Sequence, residues 1–246
     1  MKPETLLSVI IPAHKQARTI TGDLKHIHQV LRQSPLPFEI IVVIDGSLDS
    51  TYKKAKKFAQ NKKNVTTHLL KTNQGKGHAV RYGFTKAKGD LVAFIDAGRE
   101  IDPNSLSLAI EHLNWYKADV IIGSKRHLAS KVNYPLERRI LSFGYQKLVK
   151  LLFGLKLTDT QVGLKLFKRQ VLKKVLPRLV VKRYAFDIEM LAVAHSLGFT
   201  RIYETPIKIS FKADQLTDAA TLKTISSMLY ETIAVFYRLK ILRSSS

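Results

Sequence analysis

Residues 38–45 read FEIIVVID, apolar at nearly every position rather than at alternate ones. Such a strand has no face to show to water, so it must be covered on both sides, the situation of a strand inside a parallel sheet. Four further runs read as strands: LLSVIIPA (6–13), VTTHLLK (65–71), DLVAFID (90–96) and ADVIIGS (118–124). The segments between them have helical spacing. Residues 16–33 carry Ile20, Leu24, Ile27, Val30 and Leu31, and GSLDST opens a helix to Gln60 with Ser47 or Asp49 as its cap. A glycine-rich turn and a helix follow in NQGKGHAVRYGFTKAKG, and Pro103 to Tyr116 reads as another helix. This alternation predicts an α/β fold: a Rossmann-like, open, mostly parallel sheet with helices on both faces.

The second half is organised differently. It reads as a helix over 135–153, the unassigned stretch TDTQVGLKLF, helices around 168–176 and 184–197, and a short strand at 201–207. Residues 221–242 place Leu222, Ile225, Leu229, Ile233, Phe236 and Leu239 on one face, with basic residues around them. This C-terminal amphipathic helix has two readings: it lies on a bilayer, or it packs its apolar face on the domain. The resulting division is 1–215 for the main domain and 216–246 for the helix.

Charge narrows the partners. Lys and Arg number 41 against 19 Asp and Glu, a formal net charge of +22. Such a field favours a polyanion: nucleic acid, an anionic membrane surface or a phosphorylated substrate. No nucleic-acid-binding signature is present, and the aromatic residues are not interleaved with the basic ones, so no nucleic-acid partner is expected. The absence of cysteine excludes disulfide frameworks and thiolate metal sites. No apolar run approaches the ~20 residues of a membrane span, and the N-terminus lacks a signal-peptide pattern. The expectation is a soluble or peripheral protein.

In open α/β sheets ligands sit beyond the carboxyl ends of the strands. Three polar groups stand there: Pro12-Ala13-His14, Asp45-Gly46-Ser47 and Asp96. NQGKGHA (73–79) lacks the spacing of a Walker loop, but its glycines, lysine and helix start can bind an anion. Asp96, Glu100 and Asp102 are oxygen ligands suited to a divalent ion that bridges to phosphates; Asp102-Pro103 equally reads as a helix start. Asp159, Gln161 and Lys165, with Arg126 and the Arg138-Arg139 pair, form a second polar set. Asp187 and Glu189 interrupt an apolar helix without sharing a face, which gives them different roles: Asp187 toward a site, Glu189 structural or solvated.

In order and spacing, IIPAHK, VVIDGSLDST, NQGKGHAVRYGF, FIDAGRE, GSKRH, DTQVGLKLFKR and KRYAFDIEMLAVA resemble the family 2 glycosyltransferases. Within that family they are most similar to the dolichyl-phosphate β-glucosyltransferase and dolichyl-phosphate mannose synthase branch. The resemblance runs from about Leu6 to about Phe211. It implies a GT-A fold and inverting transfer of a sugar from a nucleotide donor to a polyprenyl phosphate, with UDP-glucose favoured and GDP-mannose second. It also implies a divalent metal, Mg²⁺ or Mn²⁺; with no membrane-spanning run in the sequence, attachment at the cytoplasmic face of a membrane is expected to be peripheral. By position, Pro12, Ala13 and His14 line the base and ribose pocket with Asp45 near them. Ser47 and Asp49 stand in the DGSxD pattern, Lys76 and Gly77 in N-x-GKG, and Asp96 with Ala97 in the DxD-type motif. Arg126 matches the arginine of GSR, with Lys125 inserted. Gln161 and Lys165 lie near donor sugar and acceptor. Arg126, Arg138, Arg139 and Lys165 are the candidates for the acceptor phosphate. Asp159 is the base for a hydroxyl acceptor, or orients Lys165 or the sugar. Two departures stand out: Pro12-Ala13-His14-Lys15-Gln16 replaces P-x-Y-N-E, and Asp96-Ala97-Gly98 replaces Asp-x-Asp. The expectation is that Asp96 and Glu100 share the ion. The alternatives are a catalytically degenerate relative or a different acceptor and, less favoured, a basic nucleic-acid-binding module.

Overall fold

The computed structural model describes residues 4–46, 48–98, 101–132, 136–183, 185–209 and 222–242, with side chains described outside 132–141 and 222–225. Strands β1 (Leu7–Ala13), β2 (Phe38–Asp45), β3 (Val65–Leu70) and β4 (Leu91–Ile95) alternate with helices α1 (Ile20–Arg32), α2 (Thr51–Ala59) and α3 (Lys76–Lys86). Then come α4 (Asn104–Trp115), β5 (Val120–Ser124), β6 (Lys131–Val132), α5 (Leu136–Phe153), β7 (Leu164–Lys168), α6 (Arg169–Val175), α7 (Phe186–Ser196), β8 (Ile202–Pro206), β9 (Lys208–Ile209) and α8 (Leu222–Phe236). A π-helical turn, Tyr237–Ile241, extends α8.

The sheet has seven strands in the order β3-β2-β1-β4-β7-β5-β8. All pairings are parallel except those of β7, which runs antiparallel between β4 and β5. The short β6 and β9 pair separately. The strand β7 lies in TDTQVGLKLF, to which the sequence pattern assigned no element. Its reversed direction matters for function: its N-terminal end emerges at the edge where the parallel strands finish, so residues 159–163 join the strand ends there.

Two cores explain the continuous apolar runs. Alternate residues of one strand point to opposite faces. Ile10, Ile41, Val43, Val92, Phe94, Ile122 and Phe167 pack toward α3, α5, α6 and α7. Val9, Ile11, Ile40, Val42, Ala93, Ile95 and Leu166 pack toward α1 and α4. The inner face of α8 joins the first core through Val235, Leu239 and the partly buried Met228, Leu229 and Phe236. Ile233, assigned by spacing to the same face as Leu229 and Phe236, is exposed. The helix is apolar on two sides, so spacing alone left its docking side open. That side is set by specific contacts: Tyr145 Oη with Thr232 Oγ1 at 2.6 Å, and Arg238 Nη2 with Glu189 Oε1 at 2.5 Å. The boundary between 215 and 216 falls outside the described residues. Among the described residues no helix is long and apolar enough to cross a membrane.

Candidate active site

The site lies at the carboxyl edge of β1, β2 and β4. Asp45, ending β2, is buried, and both of its oxygens accept backbone N–H groups of the glycine-rich turn, Gln74 at 2.9 Å and Gly75 at 2.7 Å. Asp45 thereby shapes the turn that starts α3. His14, just past β1, has Nδ1 2.6 Å from Asp45 O and Nε2 3.1 Å from Asn73 Nδ2. Pro12 and Ala13 are the last residues of β1 and are buried. Asp49 accepts from Thr51 N at 2.9 Å and from Ala17 N at 3.2 Å, tying the start of α2 to the loop after β1.

The turn itself leaves no room for side chains. Gly75 has φ +97, and a Cβ there would lie 2.5 Å from Lys182 O; at Gly77 it would lie 2.5 Å from the Phe186 ring. Gly77 N donates to Lys182 O at 3.0 Å. The start of α3 is thus seated on residues 182–186, which feed α7.

Lys76, first in α3, reaches across to two acids. Its Nζ is 3.0 Å from Asp96 and 3.2 Å from Asp187 Oδ2. On the far side, Lys165 Nζ lies 2.8 Å from Asp187 Oδ1 and donates to Val162 O at 2.7 Å. Lys165 is 2% exposed, so its charge is buried beneath the site rather than presented at its surface. Burial alone would lower the Lys76 pKa, but the charges of Asp187 and Asp96 outweigh it and hold it above the ordinary lysine value. For Lys165 burial prevails, and its pKa lies below the ordinary value in spite of Asp187. Burial would raise Asp187, yet Lys165 and Lys76 keep it below the usual aspartate range. The four groups form an alternating row, Asp96–Lys76–Asp187–Lys165. Sequence reasoning raised Asp187 as facing a site but left it out of the site set; its two lysines are remote in the chain, and only the fold brings them together.

Asp96 also joins the second polar set. Its N–H donates to Gly163 O at 3.0 Å, and a Cβ on Gly163 would overlap Asp96 Oδ2. Asp159, almost fully buried, accepts Lys125 N at 3.1 Å and Gln161 N at 3.4 Å, and Lys125 Nζ lies 3.6 Å away. The lysine inserted into GSKRH is thus the partner of Asp159. Gln161 Nε2 contacts Met228 Sδ of α8 at 3.1 Å. Arg126 donates to Ser142 Oγ at 3.0 Å and lies over the Phe143 ring. Arg138 and Arg139 belong to α5, and their side chains, like Ser47 and Glu100 altogether, lie outside the described residues.

A divalent ion finds one donor here. Asp96 Oδ1 is buried and has only the Lys76 ammonium beside it, at 3.0 Å, so an ion there would have to share this oxygen with Lys76. Beside it, Gly98 has φ +123 and open space above it, with Gln16 3.7 Å from the position of a Cβ. The Gly98 N–H is held by the buried Asp23 at 3.0 Å. Among the described residues no three Asp, Glu or His side chains converge on one point. A groove of about 590 Å³ lined by Asp90, Lys117, Lys168, Arg169 and Lys173 lies at the opposite edge of the sheet and is separate from this site.

The sheet order, with polar groups gathered at its carboxyl edge, is a GT-A architecture, and comparison with known proteins agrees on the fold and the family. The family model for glycosyl transferase family 2 matches residues 8–176, and the chain belongs to that family. It is 34% identical over 209 residues to a dolichyl-phosphate beta-glucosyltransferase of Drosophila melanogaster, an alignment covering 79% of this chain and 64% of that protein. The human dolichyl-phosphate beta-glucosyltransferase is 31% identical over 206 residues, covering 78% of this chain and 64% of that protein. The chain therefore spans less than two thirds of these relatives. Among solved structures, mannosyl-3-phosphoglycerate synthase from Rubrobacter xylanophilus superposes with a TM-score of 0.70 at 19% identity, over 96% of this chain and 74% of that one. Glucosyl-3-phosphoglycerate synthase from Mycobacterium tuberculosis, in complex with Mn²⁺, UDP-glucose and phosphoglyceric acid, gives 0.67 at 17% identity, over 95% and 79%. These likenesses show the shared fold.

Proposed function

We propose that the protein is an inverting glycosyltransferase that moves glucose from UDP-glucose onto the phosphate of a polyprenyl (dolichyl-type) lipid, acting peripherally at the cytoplasmic face of a membrane. The observation that carries this reading is the junction of Asp96 with Gly163, which holds the donor-side acid against the Asp159–Gly163 segment. The names of the curated relatives support the lipid phosphate and the glucosyl group.

The chemistry asks little of a base. The anomeric carbon loses its bond to the nucleoside diphosphate, which takes the electron pair, and a phosphate oxygen of the lipid forms the new bond from the opposite face. That oxygen is already ionised at neutral pH, so no proton has to be removed. This suits Asp159, whose carboxylate is engaged by Lys125 and backbone amides and acts in orientation. The charge gathering on the departing diphosphate is met by the N-terminus of α3 and by Lys76, held in place by Asp187. Asp96, with Glu100, is the proposed seat of Mg²⁺ or Mn²⁺, which when bound supplies further positive charge at the diphosphate. His14 stacks near the base, and Arg126, Arg138 and Arg139 receive the acceptor phosphate.

The test is transfer of labelled glucose from UDP-glucose into an organic-extractable product by purified protein. The expected product requires polyprenyl phosphate and is lost on adding EDTA. Transfer from GDP-mannose alone would change the donor. No transfer from either donor, by protein that still binds UDP, would point to another acceptor or to a degenerate enzyme.

A further inference from the structure

The outer side of α8 is apolar, although no described residue covers it. Tyr230, Ile233, Tyr237 and Ile241 follow at spacings of three and four residues and are 77%, 57%, 53% and 58% exposed. Ala234, between them, is exposed too. A helix that docks one face on a core ordinarily turns charge outward. The neighbouring α5, which meets α8 through Tyr145 and Phe153, also turns Phe143 and Leu151 outward. Lys147 and Lys150 stand among them, with Lys147 Nζ 4.6 Å from the Phe143 ring centre, and Lys240 closes the far end. The described side chains of these two helices include a single acid, Glu231, whose carboxylate is turned inward to accept Ala185 N at 2.8 Å.

We propose that this combined face of α5 and α8 docks the protein on an anionic lipid bilayer. Aromatic and aliphatic groups rimmed by lysines, with no outward acid among the described side chains, complement an anionic interface, and tyrosine suits headgroup depth. The main competing occupant is a second copy of the chain. A two-fold contact would set each lysine rim near its own copy, like charge against like. The face also adjoins the site: Met228 of α8 touches Gln161, and Arg126 lies over Phe143. Docking would therefore set the acceptor side of the site at headgroup level. This last point rests on the lipid-phosphate reading, whereas the docking itself is measured without any sugar transfer, so either can fail alone.

A strongly basic protein will bind anionic vesicles through charge alone, so the test must locate the contact. In a Trp115→Phe background, Tyr237→Trp carries the one tryptophan, and vesicles of phosphatidylserine with brominated phosphatidylcholine should quench its emission; Trp115 in the parent should be unaffected. Ile233→Asp with Ile241→Asp should lower partition onto these vesicles about tenfold or more, with an unchanged circular dichroism spectrum, since both residues are exposed. Lys147→Glu with Lys150→Glu should weaken binding to anionic vesicles and leave that to phosphatidylcholine alone unchanged. Absence of quenching in the Tyr237→Trp protein overturns the proposal, as does equal partition of the double-aspartate variant. A solution dimer that the same aspartates split into monomers would assign the face to a second copy instead.

Discussion

Asp187 and Gly98 show how single positions set the properties of the site. Asp187 is the shared counter-ion of Lys76 and Lys165, so Asp187→Asn leaves two ammonium groups with too little negative charge. Removing one member of a buried ionic set costs about 3–5 kcal/mol. The expected result in urea unfolding is a loss near that size, together with a loss of transfer activity. Replacing the inner pair, Asp187→Leu with Lys165→Met, should recover much of the stability and none of the activity, because Lys76 would still lack its second anchor. The pH dependence follows from the direction of the shift. Asp187 in the folded state lies below the ordinary 3.8, so its stabilisation is complete above that value and is lost as pH falls through the lower, folded value. Gly98 raises a different question, since the family pattern has aspartate there. Its φ of +123 is reserved for glycine, and Asp23 fixes its N–H. Both Gly98→Ala and Gly98→Asp should therefore lower stability by about 1–3 kcal/mol in thermal melts. Stabilisation of the aspartate variant by Mn²⁺, absent for alanine, would show that the turn relaxes into a DxD arrangement.

The elements that surround the site are held by a buried network centred on Glu189 of α7. This carboxylate, fully buried, accepts Val180 N and Val181 N and pairs with Arg238. Burial pushes its pKa up, and the amides, Arg238 and Arg81 pull it back. Arg81 of α3 donates to Leu179 O and Val181 O, and Lys182 O receives Gly77 N. The end of α8 is thereby connected to the phosphate-facing turn through residues 178–182. Arg238→Ala should destabilise by about 3 kcal/mol and also weaken UDP binding in calorimetry, although Arg238 is outside the proposed nucleotide site. Unchanged UDP affinity would mean that the 178–182 segment holds its shape without α8. None of this could be read from the chain. The strands with two apolar faces, the helix spacings and the polar strand ends were evident in the sequence, because each is a local period or a local junction. The strand β7 was hidden: five residues carrying Lys165 and Lys168 do not announce a central strand, and its reversed direction is a property of the sheet. The roles of Asp45 and Glu189 as acceptors for backbone N–H groups were hidden for the same reason, as their partners come from other elements, whereas Asp49, read from the sequence as a cap of α2, does accept Thr51 N.

At the scale of the whole molecule, the surplus of 22 positive charges acts on folding and on binding with opposite signs. Folding brings like charges together, and self-repulsion destabilises the compact state. The ion pairs that oppose it include Asp119 with Arg201 and Lys168, and the buried pair of Asp187 with Lys165. These are few beside the excess, and the buried ones are poorly screened by salt. Raising salt from about 10 mM to about 150 mM shortens the screening length from about 30 Å to about 8 Å. The melting temperature should therefore rise, by a few degrees for a domain of this size. Over the same range, attachment to phosphatidylserine vesicles should weaken, since the attraction of each lysine near the surface is screened. The apolar contact of Tyr230, Ile233, Tyr237 and Ile241 is not screened, so binding should fall to a plateau rather than vanish, and the plateau should be missing in Ile233→Asp with Ile241→Asp. A melting temperature that drops with salt would show that the ion pairs outweigh the net charge. Binding that vanishes at high salt in the parent protein would show that only charge, and no helix face, holds the molecule to lipid.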